Sequence, residues 1–260
     1  MARAKVKKKE GLGELLKTIV YALLIAGVFR TVLFQPFWIP SGSMKSTLLV
    51  GDYLFISKYA YGYSAASCPT LFGVNLCPFL SGRIFASEPE RGDVIVFKHP
   101  RTGEDYIKRL VGLPGETLQM IGGVLHIDGR PAELTRDGVF LDDSYGFCED
   151  RRDVGGARFC ALQSYRETLP GGVTHTVLNT ADGMTFDNTP PVTVPAGNYF
   201  FMGDNRDNSR DSREPRAAGG VGFVPFENLV GRAEIVAVSA AGPFWQIWNW
   251  RFGRSLEIIR

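Results

Sequence analysis

The sequence is poor in histidine: His99, His126 and His175 are the only three. Each lies in an expected strand or loop without an Asp/Ser constellation around it, and there is no HExxH pair. A Ser-His-Asp hydrolase and a His-ligated zinc peptidase are therefore disfavoured. No GxxxxGK[ST] loop occurs, and no GxGxxG follows an apolar run, so nucleotide chemistry has no support. None of the four cysteines, Cys68, Cys77, Cys148 and Cys160, belongs to a CxxC pair, which weakens zinc and thioredoxin-type readings. No repeat of 20–50 residues is visible, which disfavours a solenoid or propeller.

What is present is the composition of a folded protein: 260 residues, 45% apolar and 22% charged. Thirty glycines and fifteen prolines are too many for a helical bundle and suit many short strands and turns. The formal charge of +2 is uneven. Residues 1–10 carry five Lys/Arg and one Glu, while the other 250 hold 24 Lys/Arg against 26 Asp/Glu. A mildly acidic body argues against a nucleic-acid partner, which would need a basic groove or face.

The basic start (residues 1–11) leads into TIVYALLIAGVF (18–29), an apolar run flanked by Lys17 and Arg30. Twelve residues are too few to cross a bilayer, which takes ~20 helical residues. Extension over 12–34 supplies them, with the two cations near the interfaces and Pro36 expected to end the helix. A cleaved leader would need a small-x-small site, but bulky residues follow (TVLFQPFWIP). A buried core helix would leave the lysine cluster unexplained. The favoured reading is an uncleaved transmembrane anchor with its N-terminus in the cytoplasm and the remaining chain outside. On that side an even number of cysteines suggests disulfides. Three connectivities are open, as are free thiols, and sequence proximity favours Cys68–Cys77 and Cys148–Cys160.

Beyond the anchor, strands are expected at 51–58, 93–98, 106–111, 117–121, 124–127, 198–202 and 232–239. Gly122-Gly123 is a two-residue hairpin signal. Residues 129–190 are polar and uneven in pattern. The fold class is mostly β: a β-rich body on one N-terminal transmembrane helix.

Three segments carry candidate chemistry. In YIKRLV, alternation puts Tyr106, Lys108 and Leu110 on one face. A lysine buried there would lose part of its basicity and could replace histidine as a general base; on an edge strand it would simply reach solvent. Ser41-Gly42-Ser43-Met44 is a tight turn where a hydroxyl and backbone N–H groups can converge, or an ordinary Ser/Gly turn. Residues 203–213 (GDNRDNSRDSR) are dense in hydrogen-bonding side chains. A calcium loop starting at Asp207 fails, because Ser212 and Ala218 stand where glycine and glutamate are required.

Together these segments resemble bacterial signal peptidase I. The resemblance rests on QPFWIPSGSM followed by TLLVGD (35–52), RGDVIVFK (91–98), DYIKRLVGLPGE (105–116), and GDNRDNSRDSR with GFVPFENLVGRA (203–213 and 222–233). It covers most of 17–116 and 198–240, with the four motifs in order behind an N-terminal apolar segment. The resemblance implies a Ser–Lys dyad endopeptidase that removes signal peptides after Ala-x-Ala sites, without metal or cofactor. Ser43 would be the nucleophile and Lys108 the general base. The Ser41 hydroxyl and the Ser43 N–H would form the oxyanion hole. Ser209 would orient Lys108, and Asp211, Arg213 and Asp204 would support the site. Phe37, Ile39, Pro40, Met44, Leu48, Tyr106 and Ile107 would wall the substrate pocket.

The implied layout is a catalytic β domain over 35–116 and 196–260, with a second β domain inserted at 117–195. The implied partners are secretory preproteins and membrane lipid, with the secretion translocon nearby, for a monomer in the bacterial inner membrane whose catalytic domain faces the periplasm. Trp38, Ile39 and the tryptophans of 243–256 would form an apolar surface dipping into the interface, although packing onto the body suits those tryptophans equally. Ser46 departs from the family, which often has proline there, and residues 214–221 are an insert near the catalytic loop. A non-catalytic binding protein on the same fold is disfavoured, since each expected catalytic residue is present. A relative dedicated to one precursor has the same residue chemistry, and a self-cleaving Ser–Lys repressor lacks its DNA-binding motif.

Overall fold

A computed structural model describes residues 11–259 apart from 69, 72, 73, 76, 78 and 144–146, and only the backbone of 28–32, 70, 71, 74 and 75. The basic arm expected over 1–11 lies, but for Gly11, outside the described residues. A helix, α1, spans Leu12–Val32, and none of its described side chains is buried. Among the described residues no helix is long and apolar enough to cross a membrane. The expected span of 12–34 is two residues too long: strand β1 (Phe34–Trp38) already begins at Phe34, and Pro36 lies within it instead of ending the helix. An edge strand tolerates a proline because no partner needs its missing N–H.

The strands that matter follow in chain order: β2 Asp52–Ser57, β3 Val94–Lys98, β4 Asp105–Gly112, β5 Thr117–Ile121, β6 Val124–Ile127, β7 Arg130–Pro131 and β8 Glu133–Asp142. After them come β9 Arg151–Val154, β10 Ala157–Thr168, β11 Thr174–Asn179, β12 Val192–Thr193, β13 Asn198–Met202, β14 Val224–Pro225, β15 Leu229–Ser239 and β16 Glu257–Ile258. The largest sheet runs β1-β2-β15-β3-β4-β13-β14, with β16 added beside β15. Two four-stranded sheets come from the middle of the chain: β7-β6-β5-β12, and β8-β10-β9 with β11 on β10. The body is mostly β, as its glycine and proline content implies.

Alternation explains the large sheet. In β3, Val94 and Val96 enter one apolar cluster with Ile39, Met44, Leu48, Leu54 and Ile56, while Ile95 and Phe97 enter another with Leu110 and Phe201. β3 is therefore buried on both faces, and its β-branched and aromatic residues suit that position. Its hairpin to β4 is held by His99, whose Nδ1 accepts from the N–H groups of Arg101 and Thr102 at 3.2 Å. The β5–β6 turn uses Gly122 and Gly123 at φ +55° and +79°, the left-handed pair that a two-residue hairpin needs. Disulfides join Cys68 to Cys77 and Cys148 to Cys160, and no described cysteine is free.

Candidate active site

The segment after β1 turns sharply as a single 3-10 turn, Gly42–Met44, which sets Ser43 against β4. Lys108 lies in β4 opposite Ile95 of β3. The Lys108 Nζ is 2.6 Å from the Ser43 Oγ, although 65 residues separate them in sequence. Both side chains are buried, and the same Nζ donates to the Ile107 carbonyl at 2.9 Å. It also stands 5.5 Å from the Tyr106 ring centroid, so the shared face inferred from alternation carries through to contact. The strand is not an edge and the lysine does not reach solvent.

Burial dominates the electrostatics of Lys108. It pushes the ammonium down from its ordinary value to about 8. The carboxylates of Asp211 and Asp204 pull the other way, and Arg213 reinforces the fall. A substantial share of neutral amine is therefore present at mildly alkaline pH. A neutral amine can accept the Ser43 proton.

The loop after β13 supplies the floor. Asp211 accepts from Arg213 Nε and Nη2 at 2.9 Å each and from the Gly203 N–H at 3.0 Å. Burial alone would raise the Asp211 carboxyl, but the Arg213 guanidinium and the hydrogen bonds from Arg213, Gly203 and Ser209 together hold the group below the usual carboxylate range. Asp204 pairs with Arg109 in fork geometry, at 2.9 Å from Nε and 2.7 Å from Nη2, and its carboxyl is likewise held down against burial. The carboxylates of both ion pairs act on the Lys108 ammonium.

The remaining expected residues divide. Ser41 is exposed, with its Oγ 3.4 Å from that of Ser43, at the mouth of the site. Phe37, Pro40, Tyr106 and Ile107 line a cleft of about 600 Å³ together with Ser41, Ser43 and Lys108. Ile39, Met44 and Leu48 do not line it: they are fully buried in the core beneath, where the turn directs these apolar side chains. Ser209 lines the cleft, but its buried hydroxyl makes no bond to Lys108 and faces Asp211 instead, whose carboxyl it helps hold down. The insert 214–221 contributes Glu214 to the same cleft, while Val221 anchors it in the core.

Sequence reasoning missed Asn205. Its N–H donates to the Ser43 carbonyl at 3.1 Å and its Nδ2 to the Gly42 carbonyl at 3.0 Å, which clamps the turn from below. It missed Phe186 and Asn208 as cleft residues as well. Only the density of hydrogen-bonding residues in 203–213 signalled such a role. His175 is buried 3.4 Å from Glu167 and 3.8 Å from Asp204, and burial pushes it down to about 4. Among the described residues no histidine bonds to Ser43, and no cluster of three or more His, Cys, Asp or Glu could hold a metal ion.

Gly203 has no room for a side chain. A Cβ there would strike Ser209 and the Ser43 carbonyl. Gly203→Ala is expected to lower stability by about 1–3 kcal/mol, an overpacking cost, and to lower turnover by displacing the serine turn. Urea unfolding and a peptide cleavage assay check both.

Compared with known proteins, residues 12–238 match the model of the family described as "Signal peptidase, peptidase S26". Signal peptidase I of Rickettsia typhi is 36% identical over 252 residues, 94% of this chain and 87% of the relative. That of Rickettsia massiliae is 39% identical over 235 residues, 88% of this chain and 80% of the relative. The crystal structure of a signal peptidase I from Enterococcus faecalis V583 aligns with a TM-score of 0.30 and 29% identity, covering 56% of this chain and 97% of that one.

Proposed function

Since the chain belongs to the S26 family of signal peptidases, serine-peptidase hydrolases that remove signal peptides from preproteins, we propose that it works through Ser43 as nucleophile and Lys108 as general base. The observation that carries this reading is the buried 2.6 Å contact between Lys108 Nζ and Ser43 Oγ, with the amine brought down to about 8. The neutral amine takes the Ser43 proton as Oγ attacks the scissile carbonyl. The Ser41 hydroxyl and the Ser43 N–H stabilise the developing oxyanion, where one such donor typically contributes ~2.7–4 kcal/mol. The Lys108 ammonium returns its proton to the leaving amine; the neutral amine then takes a proton from the water that attacks the ester, and returns it to the Ser43 Oγ as the acid product leaves.

Selectivity for Ala-x-Ala sites follows from the walls of the cleft. Phe37, Pro40, Tyr106 and Ile107 crowd the region beside the serine, so that small side chains fit and large ones clash. The helix Leu12–Val32 is proposed as the anchor in the inner membrane, with the N-terminus cytoplasmic and the body periplasmic. Its exposed Leu15, Leu16, Leu23, Leu24 and Ile25 support this, as does the basic arm before it. Trp38, Trp245, Trp248 and Phe252 are also exposed and suit contact with the bilayer interface. Residues 35–116 and 196–260 then form the catalytic body, with 117–195 as the inserted unit.

The test is cleavage of a preprotein with an Ala-x-Ala site by the detergent-solubilised chain. The parent is expected to release mature protein at that bond and Ser43→Ala to release none. Changing the alanine before the bond to leucine should slow cleavage by about 100-fold or more, the scale of several kcal/mol of steric exclusion. A folded but inactive parent overturns the enzyme reading, and residual cleavage by Ser43→Ala overturns the choice of nucleophile.

A further inference from the structure

Two residues beyond Ser43 the chain packs against the sheet of β8, β10 and β11. Lys45 is buried, and its ammonium pairs with the carboxylate of Asp142, which is also buried, at the end of β8. The partners are 97 residues apart. The lysine stem lies along the serine turn: a Cβ on Gly42 would meet its Cε at 3.2 Å and its Cδ at 3.3 Å. The next residue, Ser46, holds the left-handed conformation at φ +87°, and its hydroxyl donates to the Thr176 carbonyl of β11 at 2.9 Å. Since β8 and β11 flank β10 on opposite sides, consecutive residues grip both flanks of one sheet. Asp142 lies opposite Cys160 in register, and Cys160 is cross-linked to Cys148, which pins that strand end.

A buried ion pair is seldom more stabilising than apolar residues of similar volume. What it supplies is direction. The left-handed backbone at Ser46 is also costly for a residue other than glycine, and a proline, with φ near −65°, could not adopt it. Both features act on the short segment that presents Ser43. We infer that Lys45 and Asp142, with the Ser46–Thr176 bond, are positioning residues: the middle sheet braces the nucleophile turn and holds the Ser43 Oγ in line with Lys108. This rests on the Ser43–Lys108 reading above. It gives the inserted strands a part in turnover without any contact with substrate.

The experiment uses the detergent-solubilised full chain and a peptide carrying an Ala-x-Ala site. Lys45→Met keeps the stem against Gly42 and removes the charge. Its kcat should fall about 10- to 100-fold with KM within about threefold, the scale expected of a misplaced reacting group. The acid limb of the pH profile should stay where it is, because Lys108 keeps its surroundings. Lys45→Arg should recover most of the kcat. The double variant Lys45→Met/Asp142→Leu removes both buried charges and should regain the melting temperature lost by the single variant, but not its kcat. A kcat for Lys45→Met within about threefold of the parent overturns the proposal. So does a double variant whose kcat returns with its melting temperature, or one that does not fold, since the pair is then a stability element. Ser43→Ala is measured alongside: if it cleaves, the dyad reading fails, and if it is inert, the Lys45 series judges the brace alone.

Discussion

Lys108→Met is expected to cleave preprotein at about a thousandth of the parent rate or less, and yet to be the more stable protein at pH 7. The loss of rate follows from the proposed roles: Lys108, in contact with Ser43, would be removed as its base, a contribution of about 10²–10⁴ on its own. The gain in stability follows from linkage. The folded protein holds this ammonium at about 8 against 10.5 in the reference state, so burial disfavours its charge. Below pH 8 both folded and unfolded chains carry the proton, and the folded state bears the full penalty. As pH rises from about 8 to about 10.5 the folded chain loses the proton first, and parent stability climbs. Replacing the amine by an apolar chain of similar length removes a penalty of roughly 1–3 kcal/mol at neutral pH. The measurement is urea unfolding of parent and variant at pH 7 and pH 10.5, where the gap should be wide and then narrow. In the parent, kcat/KM should rise with pH through an acid limb near 8. Lys108→Arg, which cannot lose its proton, should be as inert as the methionine variant.

Asp204→Ala is expected to be the most destabilising single change at the site, by about 3–5 kcal/mol. It removes the carboxylate paired with the Arg109 guanidinium, a buried charge that is 0% exposed, and with it the acceptor for Thr47. The depressed Asp204 carboxyl contributes stability that is fully present above the ordinary carboxylate range and is lost as pH falls through its folded value. The gap between parent and variant should therefore close in acid. A second readout is independent of folding. Asp204 pulls the Lys108 pKa upward, so removing it should move the acid limb to lower pH. Equilibrium unfolding and a pH–rate profile of the same preparation check both, and a destabilised variant with an unmoved acid limb would confine Asp204 to architecture.

The parts of the molecule legible in sequence are those written in local pattern. The Gly122-Gly123 hairpin, the doubly buried β3 and the alternation that pairs Lys108 with Tyr106 all depend on neighbours within a few residues. The helix was legible for the same reason, although its end was misplaced by reading Pro36 as a helix stop where an edge strand accommodates it. Ser43 and Lys108 stood out as chemistry only through the resemblance, since residue pattern alone left an ordinary turn and a solvated lysine open. What remained hidden depends on pairs far apart in the chain. Asn205 holds residues 42 and 43 from 163 positions away, and Lys45 finds Asp142 across 97. Residues 129–190 looked uneven because β8 and β9 leave much of both faces exposed, which erases the two-residue period. The resemblance places Ile39, Met44 and Leu48 in the cleft, but the tight turn sends them into the core.

The order of strands in the large sheet has a consequence for biosynthesis. β15 (Leu229–Ser239) lies between β2 and β3, so the sheet has a gap in its middle until almost the whole chain has been delivered. At ~5–20 residues per second, roughly 10–40 s pass between the appearance of Ser43 and that of Ser239. For that interval Ser43 exists without a finished scaffold. The half of the sheet that leads into the Ser43 turn and the half that carries Lys108 are joined only when this late strand arrives between them.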